Sequence, residues 1–297
     1  MLQRYYVIME LQNINNQYVE YLQKVKRMSL HTVTSYKNDL EQFSVFLHSL
    51  GLKDIEKIKS QHIRFWMGDL IESGLKARSV NRKLSSLRGL FKYCRSHGVI
   101  ETDPMTKVVA PKTPKHLVKD IPAFDLMRMF DRYPWNEEEY GDRNKLILLM
   151  LYTTGMRLSE LINLKIQDVD LNRNALRVLG KRNKIRMIPI HDELHDLINQ
   201  VKGNRSIGVL FLTDKGNPLY PMWLYRFVNL YLRKFSHASK TSPHVLRHSF
   251  ATHMLNNGAN LMAIKDLLGH ASLSATQVYT KNSFEKLKKI HRLHPRK

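Results

Sequence analysis

Cysteine is nearly absent from this chain of 297 residues: Cys94 stands alone. That excludes an intrachain disulfide and any zinc or iron–sulfur site built from several cysteines, and a reducing, cytoplasmic setting is expected. Long apolar runs are missing too. The longest spans residues 146–152, far short of the roughly 20 residues a transmembrane helix needs. Glu10 interrupts the N-terminal stretch before a secretory apolar region develops, so neither a signal nor a membrane partner is expected. The 13 glycines form no phosphate cradle of the P-loop kind, and no nucleotide or other cofactor is expected. Acids are scarce as well, with 26 Asp and Glu against 48 Lys and Arg, a formal charge of +22. Because 43% of residues are hydrophobic and 9% aromatic, the chain folds, its charge belongs to a folded surface, and a polyanion is the default partner.

The charge is unevenly spread. Residues 1–142 hold 22 basic and 17 acidic side chains, net +5, and residues 143–297 hold 26 and 9, net +17. Stretches 171–190 and 215–265 contain no acid at all. A solvated surface ordinarily mixes signs, so acid-free stretches in a folded domain point to phosphate. At roughly 100–200 residues per domain the length suggests about two domains.

Apolar periodicity predicts helices near 17–25, over 29–50 with Ser29 as N-cap, over 61–73 and over 77–96. On a wheel at about 100° per residue, Val80, Leu84, Leu87, Leu90, Phe91 and Cys94 share one face of the last helix. Arg78, Asn81, Arg82, Ser85, Arg88 and Lys92 share the other, and Lys83 alone falls among the apolar residues. Arg78, Arg82, Arg88 and Lys92 are therefore the candidate DNA-binding residues of this region. Residues 100–119, with Pro104, Pro111 and Pro114 among lysines, read as an extended basic linker. Beyond it, helices are expected near 124–133, 142–154, 157–163, 191–201, 221–235, 243–256 and 261–268. Short strands at 176–179 and 185–190 flank a hairpin. The fold class is mainly α: an N-terminal four-helix domain, then a mostly helical domain with a small antiparallel sheet.

Three clusters invite chemistry on phosphate. Arg157 and Glu160 are spaced i,i+3, so the carboxylate can hold the guanidinium. His244 and Arg247 share one face near a helix start, with Ser242 suited to N-cap and Pro243 to the first helical position. The third cluster is Leu268-Gly269-His270, with Tyr279 nine residues on. Either Lys181 or Lys184 of the hairpin can supply a proton. The spacings His244/His248 and His291/His294 suit zinc, yet no third ligand lies near either pair in sequence, and no metal is expected. Two arginines, a lysine, two histidines and a tyrosine suffice to attack a phosphodiester without metal.

Taken in order, Thr154-Gly155-Met156-Arg157-Leu158-Ser159-Glu160-Leu161, Gly180-Lys181-Arg182-Asn183-Lys184, His244-Val245-Leu246-Arg247-His248-Ser249-Phe250-Ala251-Thr252-His253, and Leu268-Gly269-His270 through Tyr279-Thr280 resemble the signatures of tyrosine recombinases, most closely the Xer type. The resemblance covers nearly the whole chain. It implies a core-binding DNA domain at 13–98, a basic linker at 99–119 and a catalytic domain at 120–297. It also implies that Tyr279 attacks the scissile phosphate to give a 3′-phosphotyrosyl link. Arg157 and Arg247 would grip the phosphate oxygens, Lys181 would protonate the leaving 5′-oxygen, His244 would assist proton transfer, His270 would hydrogen-bond the phosphate, and Glu160 would orient the site from behind. The expected partner is a double-stranded recombination site, bound by a homo- or hetero-tetramer on two DNA sites, with a related recombinase and a DNA translocase as further partners and a nucleoid-associated location. Residues 283–293 would dock into a neighbouring subunit. Resolution of chromosome dimers is the leading role. An integrase of a phage or conjugative element and a non-catalytic DNA-binding protein are the alternatives.

Overall fold

The computed structural model describes residues 11–114, 120–180, 184–236, 241–269 and 281–296. The chain divides into two compact units, Met1–His116 and Leu117–Lys297.

Helices α1 (Leu11–Lys24), α2 (Leu30–Ser49), α3 (Ser60–Glu72) and α4 (Ala77–Ser96) build the first unit. α1 begins well before the short helix expected there. α2 starts where its cap predicts, with Ser29 Oγ accepting the Thr32 N–H at 3.3 Å and so satisfying a donor that the first turn leaves open. The apolar stripe of α4, from Val80 to Cys94, is fully buried. At about 1.5–3 kcal/mol for each large apolar side chain removed from water, this stripe is what seats α4 against its neighbours. Lys83 follows the stripe into the core because Asp39 of α2 meets it there, with Nζ 3.1 Å from Oδ1.

The proline-containing stretch is not a solvated linker throughout. Ile100, Met105 and Val108 enter the core of the first unit, and the Pro104 and Pro111 carbonyls accept from Ser60 Oγ at 2.7 Å and Asn81 Nδ2 at 2.9 Å. Its apolar residues follow neither strand nor helix spacing, so periodicity gives no sign that they are buried.

The second unit contains α5 (Ala123–Arg132), α6 (Gly141–Thr154), α7 (Leu158–Ile162), strands β1 (Val169–Asp170), β2 (Ala175–Leu179) and β3 (Ile185–Pro189), then α8 (Asp192–Lys202), α9 (Pro221–Phe235), α10 (Pro243–Asn256), α11 (Leu261–Leu268) and α12 (Lys281–His291). The sheet is antiparallel in the order β1-β2-β3, with Leu176 opposite Ile188 and Leu179 opposite Ile185. β1 is too short to leave a periodic trace. The apolar run at 146–152 is the middle of α6 and has no exposed surface, the mark of a helix enclosed on all sides. Among the described residues no helix is long and apolar enough to cross a membrane.

In the single chain α12 seats on its own unit. Leu287 packs with Phe250, Met254, Ile264 and Leu267, and His291 Nε2 donates to the Thr153 carbonyl at 2.7 Å. Arg296 then forks onto Glu193 with two contacts of 2.6 Å and reaches Asp131 at 2.8 Å.

Candidate active site

The turn from α6 into α7 sets the site's first side chain. Gly155 has φ +59°, and a Cβ there would lie 2.6 Å from the Phe250 ring and 2.7 Å from Leu268. Only glycine closes this turn without strain or clash. Arg157 follows as the N-cap of α7, and Glu160 in the first turn reaches back to it. Its Oε2 accepts the Arg157 backbone N–H at 2.7 Å, and Oε1 accepts Arg157 Nη1 at 2.8 Å.

The C-terminal turn of α11 supplies the matching half. Three consecutive carbonyls there each receive an arginine from elsewhere in the fold. Arg186 Nε donates to Leu267 at 2.8 Å, Arg247 Nη2 to Leu268 at 2.7 Å, and Arg157 Nη2 to Gly269 at 3.0 Å. The last carbonyls of a helix have no intrahelical partner and carry its negative end, so cations are favoured there. A further bond, 2.5 Å from Arg247 Nη1 to the Gly155 carbonyl, ties α10 to the α6–α7 turn.

These guanidiniums face a single carboxylate. Burial by itself would raise the Glu160 pKa, but hydrogen bonds and charge from Arg186, with the Arg157 contacts, outweigh it and bring the group down to about 2. Burial, together with the charges of Arg157 and Arg186 and against that of Glu160, pushes Arg247 down to about 10, so it stays protonated at neutral pH. Three positive charges around one negative leave the cluster able to accept an anion. The buried members are Arg186 and Glu160, with side chains 5% and 3% exposed, whereas Arg157 at 30% opens to solvent and Arg247 is half-buried. The arginines named from sequence are thus the accessible ones.

His244 is exposed in the first turn of α10, on the turn before Arg247. α10 begins at Pro243 with Ser242 as N-cap, but the Ser242 hydroxyl makes no capping bond; its carbonyl accepts the Val245 N–H at 2.9 Å. Lys181, His270 and Tyr279 lie outside the described residues. Lys184, the other lysine of the hairpin, is exposed, and its carbonyl accepts the Gly180 N–H at 2.7 Å.

Arg186 was missed by sequence reasoning, although a signal was present. In β3 it shares a face with Ile188, and an arginine on the buried side of a strand requires a carboxylate partner. Asp39 was missed for the corresponding reason on α2, and it changes the reading of α4. Arg82 forks onto Asp39 at 2.5 and 2.7 Å, and Ser86 Oγ adds a bond of 2.8 Å. Of the four cations expected on the DNA-binding face, Arg82 is therefore already matched. Arg78, Arg88 and Lys92 are exposed, and no hydrogen bond or ion pair engages them among the described residues. The zinc-like spacing at 291 and 294 belongs to packing: both rings are buried, against Phe250, and His294 also against Tyr152.

Residues 126–286 match the phage integrase family, and residues 16–98 match the phage integrase N-terminal SAM-like domain. The tyrosine recombinase XerC of Chlorobaculum parvum is 34% identical, over 94% of this chain and 93% of its own. Among solved structures, the integrase of transposon Tn1549 in complex with a circular intermediate DNA superposes with a TM-score of 0.71 at 19% identity, covering 93% of this chain and 98% of that one. A lambda integrase tetramer bound to a Holliday junction gives 0.65 at 20% identity, covering 92% and 80%. The chain therefore belongs to the phage integrase family and is a tyrosine recombinase, an enzyme of site-specific DNA strand exchange.

Proposed function

We propose that Arg157 and Arg247, fixed on the α11 carbonyls, hold the scissile phosphate of a recombination site while Tyr279 attacks it. The observation that supports this most is the pairing of Arg157 and Arg247 on adjacent carbonyls, each backed by a buried or backbone partner and each with open surface. Guanidiniums so fixed need little reorganisation when charge develops on the phosphate oxygens, and preorganisation of this kind supplies much of the rate in such reactions. Tyr279 Oη forms a bond to phosphorus at the 3′ side, the bond from phosphorus to the 5′-oxygen breaks, and Lys181 delivers a proton to that oxygen. His244 takes part in proton transfer at the nucleophile, His270 hydrogen-bonds the phosphate, and Glu160 holds Arg157. The ester to tyrosine conserves the energy of the broken bond, so rejoining needs no nucleotide.

Arg78, Arg88 and Lys92 of α4 bind the DNA backbone, with the first unit at 13–98, the basic stretch at 99–119 and the catalytic unit at 120–297 sharing the duplex. Four subunits, of this chain alone or with a related recombinase, assemble on two sites, and a DNA translocase activates them. The likeness to relatives named XerC favours chromosome-dimer resolution, near the nucleoid in the cytoplasm, over an integrase role.

A nicked suicide duplex carrying the cognate site tests the chemistry. A covalent protein–DNA band is expected with the wild-type chain, none with Tyr279→Phe, and one slowed about 10²–10³-fold with Arg247→Ala. Absence of a band with the wild-type protein on DNA that it binds would favour a non-catalytic DNA-binding role.

A further inference from the structure

A charged side chain is costly to bury unless its donors are met, and Arg186 is 4% exposed on the core face of β3. Its donors are met by groups from two other elements. Nη1 and Nη2 fork onto Glu160 Oε1 and Oε2 at 2.9 and 2.7 Å, and Nε turns away to the Leu267 carbonyl at 2.8 Å. The strand after the hairpin, the first turn of α7 and the last turn of α11 thus meet on one planar group. The backbone at the end of α11 makes room for it: a Cβ on Gly269 would lie 3.1 Å from both Cδ and Nη1 of Arg186, while Gly180 lies within ordinary contact of the same fork, 3.4 Å from Nη1 and 3.6 Å from Glu160 Oε1 at its Cβ position.

Those two glycines immediately precede Lys181 and His270 in the chain. Glu160, the carboxylate on the fork, is also what holds Arg157. One guanidinium therefore fixes the points from which the leaving-group acid and a phosphate ligand depart, and the group that holds a third site residue.

We propose that Arg186 is a positioning residue for strand cleavage, which sets the hairpin base and the α11 terminus relative to the Arg157–Glu160 pair. This rests on the reading of Lys181 as the acid. Lysine replaces it only in part, because one ammonium does not present a fork and a third donor in the same plane. DNA affinity comes from backbone contacts spread over both units, so loss of Arg186 alters cleavage and leaves binding nearly unchanged.

The test compares Arg186→Met, Arg186→Lys and Lys181→Ala in the full chain. Each is given two suicide duplexes, one ordinary and one with sulfur in place of the bridging 5′-oxygen at the scissile phosphate. Sulfur leaves without a proton, so a defect in acid delivery is relieved on the second substrate and a defect in overall folding is not. On ordinary DNA, Arg186→Met is expected to cleave about 10²-fold or more slowly, with Kd for the site changed less than about threefold. At least a tenfold share of the loss should return with sulfur. Arg186→Lys should show the same pattern at smaller amplitude, and it serves if the methionine variant does not fold. Equal loss of the Arg186 variants on both substrates, or loss of DNA binding in step with cleavage, would overturn the proposal. Relief for the Arg186 variants but not for Lys181→Ala would keep Arg186 in place and move the acid role to another residue.

Discussion

Arg157 and Arg186 lie close enough to disfavour the charge of Arg247, and the three remain together because a carboxylate and three helix-terminal carbonyls hold them. The turn that admits Arg247 depends on Gly155, so Gly155→Ala meets both a left-handed backbone and the Phe250 ring. It should cost about 2 kcal/mol or more, read from the denaturant midpoint. Acid should also weaken this unit, through its histidines. Burial lowers the pKa of His191 to about 4, with the nearby His291 adding to the effect, and it lowers His291 and His294 as well. A histidine depressed in the folded state is protonated first in the unfolded chain, so stability falls as pH drops below about 6.5 and the loss is complete below the folded value. His191 alone contributes about 2 kcal/mol of loss by pH 5. The thermal midpoint should fall by several degrees between pH 7.5 and 5, and His191→Leu should flatten that dependence. The six proposed catalytic residues and Glu160 follow from the resemblance to tyrosine recombinases; of these, Arg157, Glu160 and Arg247 converge among the described residues, with His244 one turn from Arg247. Arg186 and Asp39 were not named, because a partner from a distant element leaves no local trace.

At the scale of the element, α4 separates two uses of positive charge that its own sequence presents alike. Arg82 and Arg88 occupy the same polar face, but only Arg82 meets Asp39. Arg82→Gln should destabilise the first unit by about 1–3 kcal/mol, since Asp39 stays buried with part of its bonding lost. Arg88→Gln should leave the melting curve unchanged and lower the slope of log K against log salt by about 0.9, the loss of one phosphate contact. The reverse assignment of the two phenotypes would show that the Asp39 pair is not what anchors Arg82. Helices α9, α10 and α11 start and stop where periodicity and end signals put them, whereas β1 and the length of α1 escaped because two residues or a polar flank carry too little pattern. The buried half of the 100–114 stretch escaped for a different reason: Ile100, Met105 and Val108 are spaced for no regular element.

Across the whole molecule, the surplus of 22 positive charges exceeds what one phosphate can use. Most of it is left to bind DNA backbone, and affinity should drop steeply with salt, whereas the cleavage rate of bound complex should vary little between 50 and 200 mM salt, values taken as about the range over which backbone binding weakens. The second unit has its own apolar core around α6, so a fragment of residues 117–297 should unfold cooperatively on its own, as followed by circular dichroism. The two-unit arrangement was legible from length, charge and the proline-rich stretch. How the arginines converge was not, since it depends on a helix end that three separate elements reach. The most direct measurement is to trap the protein on a suicide duplex, digest protein and DNA, and identify by mass spectrometry the residue that carries the nucleotide. A nucleotide joined through its 3′-phosphate to Tyr279 is the expected result, and an adduct on any other residue, or through a 5′-phosphate, would contradict the assignment of the nucleophile.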